Sequence, residues 1–330
     1  MRFQAMGDVT ITLPYVAALR QMLPAARIDI LTSKEAADIP RQHPDIDNVY
    51  AIGGGRNRRL QYAAAATHLP RLLFNRYDVV ADLQNSPMSR RILKTLRPMA
   101  WSCFDRFSPL AAGVRTQRCL EELNLGPISP SFDLRSIGSA QAEDLLREAG
   151  HTADAPLVIL NPAGIFESRN WPLDNYIEFA RLWQQLYSAK TQFLLIGLKR
   201  MGEKADLLQQ GLGSHCINLV GRTTAAEAFS LVGQASLVLS EDSGLMHMAW
   251  VSGVPTVALF GSSRSDWSRP LGDHSVCLDS SDLECGCCML EFCRFGDTRC
   301  LVRHTPEIVV DVAMNLLERL DRNGPNGVEQ

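Results

Sequence analysis

The chain has 330 residues, 46% hydrophobic and 21% charged, with a formal net charge of -3. That leaves room for roughly two domains of ~150 residues, each with its own core, and the faint negative charge excludes a global basic field for nucleic acid. No apolar run reaches the ~20 residues of a membrane-spanning helix, and "MRFQAMGDVT" lacks the charged-then-apolar order of a secretory signal, so the expected compartment is the cytoplasm.

In chain order, a helical pattern at 13–23 precedes apolar runs at "RIDILT" (27–32) and "NVYAI" (48–52). A helical pattern at 60–75, the run "YDVVADL" (77–83) and a helical pattern at 88–96 follow. Between Gly138 and Pro156 lie one amphipathic helix (140–149) and the polar stretch "GHTADAP", which place a domain boundary there. The expected division is 1–150, 151–321 and a polar, Gly- and Pro-bearing tail at 322–330 that is too poor in apolar residues to pack.

The second half is the more regular. "LVIL" (157–160), "FLLIG" (193–197), "CINLV" (216–220), "SLVLS" (236–240) and "PTVALFG" (255–261) alternate with helical patterns. In "LDNYIEFARLWQQLY", Tyr176, Phe179, Ala180, Trp183 and Leu186 recur at helical spacing, with Asp174 as a candidate cap. Thr223 or Thr224 can cap "AAEAFSLVGQ". Short apolar strands alternating with amphipathic helices predict an α/β fold of right-handed βαβ units with parallel sheets.

Three stretches carry chemistry. "SEDSGLMH" (240–247) leaves the run "SLVLS" at the sheet edge where ligands of open α/β sheets bind. Gly244 lets a ligand approach the backbone of a helix starting there, whose free N–H groups attract phosphate. His247 falls on the same helix face as that start, and Asp242 can accept from sugar hydroxyls. The plainer reading is an Asp/Ser cap with a core histidine. "NPAGIFESRNWP" (161–172) also leaves a strand, with a hydroxyl at Ser168 and a guanidinium at Arg169 that can grip two phosphate oxygens. "MGDVTITLP" (6–14) places Gly7 and Asp8 in a loop before a helix that Thr12 can cap, with Pro14 in its first turn. Gly211 and Gly213 do not complete a dinucleotide fingerprint, and neither a phosphate-binding G-x-x-x-x-G-K nor a G-x-S-x-G elbow around Ser243 is present.

Taken together with "LVGRTT" (219–224) and "DSGLMHMAWVSGVPTVALFG" (242–261), these stretches resemble the family 9 glycosyltransferases, the ADP-heptose:lipopolysaccharide heptosyltransferases, in the right order over residues 3–320. The resemblance implies a GT-B-like architecture of two Rossmann-like domains facing across a cleft, and inverting, metal-independent sugar transfer with no catalytic cofactor. It implies Asp8 as the base on the acceptor hydroxyl. It implies Asp242, Ser243, Gly244, Leu245 and His247 as the donor-binding set and Ser168 with Arg169 as the phosphate pair. Its donor is a nucleotide-sugar such as ADP-heptose, and its acceptor is an anionic glycolipid of the lipopolysaccharide core. An enzyme of this kind needs no membrane span and works in the cytoplasm, peripheral to the inner membrane. For that acceptor, "GGGRNRR" (53–59) offers Arg56, Arg58 and Arg59, with Arg90, Arg91 and Lys94 nearby, against the alternative of ordinary solvated arginines. Two departures stand out. The family has lysine where this chain has Arg169, and it has a full first strand where only Met1 to Phe3 precede "QAM". Either the true start lies upstream or the first sheet lacks its central strand.

Five of the nine cysteines fall in "CGCCMLEFCRFGDTRC": Cys285, Cys287, Cys288, Cys293 and Cys300. Four thiolates can hold a structural zinc, although C-x-C-C-x4-C-x6-C matches no standard finger, and reduced thiols are the alternative in a cytoplasmic chain. Three rival functions remain open: a non-catalytic nucleotide- or glycan-binding protein of the same shape, a nucleotide-sugar epimerase, and a cysteine-rich metal module. Only the last leaves the three loop motifs unexplained.

Overall fold

The computed structural model describes every residue except Ser136, Gly138, Ser139 and 324–330, so all of the expected tail beyond Asn323 lies outside the described residues. The chain divides into two compact units, Met1–Ser131 and Phe132–Gln330.

In the first unit, α1 (Met6–Thr10) and α2 (Leu13–Met22) precede β1 (Asp29–Ser33), α3 (Asp38–Gln42), β2 (Asn48–Ile52) and α4 (Arg58–Phe74). Then come β3 (Val79–Asp82), α5 (Pro87–Leu96), β4 (Ala100–Cys103) and α6 (Ala112–Glu121). The strands form two parallel pairs, β1–β2 and β3–β4. Residues Met1 to Phe3 fill the slot between them: Arg2 N donates to Leu31 O at 3.0 Å, and Met1 N donates to Ala81 O at 2.7 Å. Three residues bridge the pairs but are too few for a continuous ladder, which is why the sheet reads as two halves. Alternate residues face opposite layers. Phe3, Leu31, Tyr50 and Ile52 pack with Ala65 and Leu72 of α4 and Met88 and Ile92 of α5. Val79 and Ala81 pack with Tyr15 and Ala18 of α2 and Leu120 of α6.

Local signals set the helix starts. The Asn57 carboxamide accepts from Arg59 N and Leu60 N to cap α4. Ser86 and Ser89 form a reciprocal cap at α5, with Pro87 at its first position. Asp8 departs from expectation: Gly7 and Asp8 lie inside α1 rather than in a loop. Thr12 does not cap α2 with its hydroxyl, which donates instead to Val9 O at 2.6 Å.

The second unit runs α7 (Ala140–Glu148), β5 (Leu157–Asn161), α8 (Leu173–Leu186), β6 (Gln192–Leu195), α9 (Gly202–Leu212) and β7 (Cys216–Asn218). It continues with α10 (Ala225–Gly233), β8 (Leu237–Glu241), α11 (Gly244–Val251), β9 (Thr256–Leu259), α12 (Ser265–Ser268), β10 (Ser275–Leu278), α13 (Arg299–Val302) and α14 (Pro306–Asn323). Its parallel sheet has the order β10-β9-β8-β5-β6-β7. The first three strands step outward one way and the last three the other, so the order reverses between β5 and β8. A doubly wound sheet opens its ligand crevice at that reversal, outside the strands' carboxyl ends.

β5 and β8 are buried along their whole length, which explains runs without polar alternation. The stripe Tyr176, Phe179, Ala180 and Trp183 of α8 packs on Val158, Leu160, Phe193 and Leu237, with Val309, Val310, Ala313 and Leu316 of α14 completing that layer. Burying one side chain such as Phe179 contributes about 1.5–3 kcal/mol. Pro172, not Asp174, stands at the cap position of α8. Of the two threonines considered for α10, Thr224 caps, paired with Glu227.

The boundary falls at 131/132 rather than 150/151. The segment between belongs with the second unit because its apolar groups bury there. α7 packs on α10, Phe132 meets Trp250 edge-on at 5.7 Å between ring centroids, and Arg135 Nη2 donates to Gly253 O at 2.9 Å.

Candidate functional site

At the strand-order reversal, β5 ends in Asn161 and β8 in Glu241. Asn161 Nδ2 donates to Ser240 Oγ and Ser243 Oγ, both at 2.8 Å. Ser243 Oγ in turn accepts from Met246 N at 3.2 Å, capping α11. One carboxamide thus ties the end of β5 to the start of the helix that follows β8. Ser243 is a cap, as the plainer reading held, and it holds the first-turn amides of α11 at the crevice, with Gly244 exposed.

Glu241 is fully buried and organises the facing loop. Its Oε2 accepts from Gly164 N at 2.5 Å, and its Oε1 accepts from Trp171 N at 2.7 Å and Tyr176 Oη at 3.3 Å. Lys204 of α9 grips the same loop through Pro162 O at 2.9 Å, Gly164 O at 3.3 Å and Asn170 Oδ1 at 2.6 Å. Gly164 must be glycine: a Cβ there would lie 2.5 Å from Arg169 O and 2.7 Å from Glu241 Oε2. Burial lowers the Lys204 pKa, and burial pushes the Glu241 carboxyl from 4.5 to about 7, with Lys204 opposing the rise.

A folded-state pKa above the unfolded value means that the folded chain binds more proton between pH 4.5 and about 7. Glu241 therefore makes folding less favourable as pH rises through that window. Glu241→Gln is expected to cost about 2–3 kcal/mol, because one of the Gly164 and Trp171 N–H groups must then face an NH2 donor. The variant lacks the pH slope, so its deficit against the parent should shrink as pH rises from 4.5 to about 7 in urea unfolding. A deficit that grows over that interval would contradict the assignment.

The carried residues then sort by geometry. Arg169 is half-buried; its Nε has no hydrogen-bond partner, its guanidinium lies over the Phe166 ring at 4.8 Å, and its Nη2 reaches Met289 Sδ at 3.7 Å. No carboxylate neutralises it among the described residues. Ser168 departs from expectation. Its side chain is buried, its hydroxyl pairs with Ser262 Oγ at 2.8 Å and donates to Leu290 O, and its backbone N donates to Glu291 O at 3.2 Å. It fastens the cysteine-bearing loop rather than facing solvent. Asp242 is half-exposed and accepts from Ser268 Oγ at 3.3 Å, and Leu245 is buried beneath the first turn. His247 is buried, and its Nδ1 accepts from Trp250 Nε1 at 3.0 Å. Indole nitrogen only donates, so this bond places the proton of neutral His247 on Nε2.

In the first unit, a cavity of about 980 Å³ opens at the last residues of β1 and β2, Ser33 and Ile52, and at Gln84 just beyond β3. Arg56, Arg58 and Arg106 line it with Glu35 and Tyr62; Arg59 does not. None of these three arginines has an ion pair among the described residues. Of the further candidates, Arg90 Nε donates to Asn85 Oδ1 at 2.7 Å, Arg91 covers the Tyr62 ring at 5.2 Å, and Lys94 is exposed. Asp8 lies beside the cavity residues Ala5 and Met6. Its Oδ2 accepts from Ala5 N at 2.7 Å, and its Oδ1 accepts from Arg2 Nη2 at 2.5 Å.

The five clustered cysteines are free thiols, with no disulfide between them. Cys285, Cys288, Cys293 and Cys300 border one small hollow with Arg294 and Arg299, while Cys287 does not. Among the described residues, no three His, Cys, Asp or Glu side chains are grouped to hold a metal ion. Burial pushes the Cys300 thiol up to about 11, which keeps it protonated.

Sequence reasoning missed Lys204, Glu241's anchoring role and Arg106. Glu241 was visible as a carboxylate ending an apolar run, a position that demands buried partners. Nothing local marks Lys204 or Arg106.

The profile of Glycosyltransferase family 9 (heptosyltransferase) matches residues 105–298. Lipopolysaccharide heptosyltransferase 1 of Pseudomonas aeruginosa is 24% identical over 320 residues, covering 90% of this chain and 87% of that protein. The crystal structure of the family 9 glycosyl transferase from Veillonella parvula superposes with a TM-score of 0.79 at 19% identity, covering 96% of each chain. E. coli heptosyltransferase WaaC with ADP-2-deoxy-2-fluoro heptose gives 0.67 at 18% identity, covering 96% of this chain and 99% of that one. Both superpositions span the two units and identify the fold as GT-B. A profile that matches more than half of the chain, on a fold whose strand-order reversal carries the family's own motifs, makes this protein a member of glycosyltransferase family 9, the heptosyltransferases.

Proposed function

We propose that the protein transfers heptose, or a closely related sugar, from an ADP-sugar to the core of lipopolysaccharide, by one inverting displacement without a catalytic metal. The observation that carries this reading is Arg169. Its guanidinium, with Nε unbonded and no ion pair among the described residues, sits on a loop that Glu241 anchors through Trp171 N, at the end of the strand that leads into the capped start of α11. Such an arrangement suits a diphosphate. The WaaC structure, solved with an ADP-sugar analogue, supports the same class of donor.

In the displacement, the acceptor hydroxyl oxygen bonds to the anomeric carbon while the bond from that carbon to the diphosphate breaks. The bonding pair leaves with ADP, and the hydroxyl proton passes to Asp8. Arg169 and the first-turn amides at Gly244 and Leu245 meet the charge developing on the diphosphate, the work a divalent cation does elsewhere. Asp242 accepts from sugar hydroxyls, and His247 donates from Nε2. Ser168 acts on this step by position, holding Arg169 in its loop. The anionic acceptor occupies the cavity of the first unit against Arg56, Arg58 and Arg106, with Arg59 outside its wall. A lipid-borne acceptor places the enzyme at the cytoplasmic face of the inner membrane.

The test supplies ADP-heptose and heptose-deficient lipopolysaccharide in EDTA. The acceptor should gain the mass of one heptose per ADP released, at a rate unchanged by the chelator. A strict need for added Mg²⁺ would remove the metal-free mechanism. ADP release without a heavier acceptor would remove the transferase reading.

A further inference from the structure

At the end of the first unit's strands opposite its cavity, the amino edge of the β3–β4 pair gathers features that the proposed transfer reaction does not use. Helices α4 and α5 pack together and deliver the chain to neighbouring strands, paired in parallel from Val79 opposite Ala100. The end of α4, the connection at 75–78, the end of α5 and the connection at 97–99 therefore meet at one edge. Four large apolar side chains stand in solvent there: Leu73 at 45% exposure, Phe74 at 85%, Met99 at 87% and Trp101 at 59%. Exposed Arg76, Lys94 and Arg97 lie among them, and none has an ion pair among the described residues. Asp78 is the exposed acid on these connections.

We propose that this edge docks the protein on an anionic lipid surface. Apolar side chains left in water and grouped with cations are the pattern of a membrane-surface contact. The aromatic and thioether groups enter the headgroup region, Trp101 suits the boundary between headgroup and acyl chain, and each cation gains from the negative surface potential. A second copy of the chain is the poorer occupant, because like patches meeting face to face would set three cations against three. The inference stands on surface composition and does not depend on which sugar is moved.

Co-sedimentation of the full chain with phosphatidylcholine vesicles, with and without phosphatidylglycerol, tests it. Binding should appear with phosphatidylglycerol and fall at high salt. Phe74→Asp with Met99→Asp, and separately Arg76→Asn with Arg97→Asn, should each weaken it by roughly tenfold or more. Asparagine is chosen because Arg76 and Arg97 both have φ 49°, a left-handed conformation that asparagine tolerates. All four side chains are exposed, so thermal melting should confirm intact folds. No binding to the anionic vesicles, or binding that neither variant pair weakens, overturns the proposal. So does concentration-dependent self-association abolished by Phe74→Asp with Met99→Asp in the absence of vesicle binding, which would make the edge an interface between copies.

Discussion

Asp8→Asn is expected to lower kcat by about 10²-fold or more while leaving donor affinity nearly unchanged. The amide keeps an oxygen for the Ala5 N–H, so the start of α1 should persist, but it cannot take the acceptor's proton. It also loses the ion pair with Arg2. With the Asp8 side chain 35% exposed, that pair is worth only about 0–1 kcal/mol, so the melting temperature should move little. The proposed donor residues belong to the other unit, so a titration with ADP should not register the change. If Asp8 serves only to start α1 and hold Arg2, the outcome reverses: turnover stays near normal while stability falls slightly. Steady-state kinetics and a thermal melt on one variant therefore separate base from cap.

Arg169→Ala should be comparably damaging, by about 10²–10³-fold in kcat/KM for the donor, because it removes the preorganised positive group at the leaving diphosphate. Stability should barely change, since the guanidinium touches the Phe166 ring and the Met289 sulfur and makes no ion pair among the described residues. Arg169→Lys keeps the charge but replaces a planar fork by a point donor, so it should recover part of the loss. Near-normal donor kinetics in the alanine variant would remove Arg169 from the site and, with it, the main support for a metal-free departure of ADP.

What the sequence revealed and what it hid divide along physical lines. The α8 stripe of Tyr176, Phe179, Ala180 and Trp183 was legible because burial on one helix face imposes its period on the chain. β5 and β8 were legible because strands buried on both faces carry no polar alternation. β4, "AWSC", and β10, "SVCL", were not, since the four residues of β4 change burial irregularly and the four of β10 are all half-buried, so neither leaves a period to read. The domain boundary was misplaced because α7 shows an apolar face without showing what covers it; Ala142 and Leu146 bury in the second unit. The same limit governs side chains. Ser168 has the chemistry of a phosphate ligand, and only the fold reveals that its hydroxyl is spent on Ser262 and Leu290. Lys204 and Glu241 secure one loop from different elements, a partnership with no local signature.

The bond from Trp250 to His247 also gives the proposed donor site an optical handle. The chain has five tryptophans, and Trp250 is the one whose indole N–H ends on the histidine of α11. Indole emission depends on that N–H bond and on the charge of the ring that accepts it. If His247 meets the donor as proposed, a nucleotide-sugar that draws on its Nε2 changes the acceptor seen by Trp250, and titrating the chain with ADP should shift the intrinsic emission of a buried residue one side chain away from the ligand.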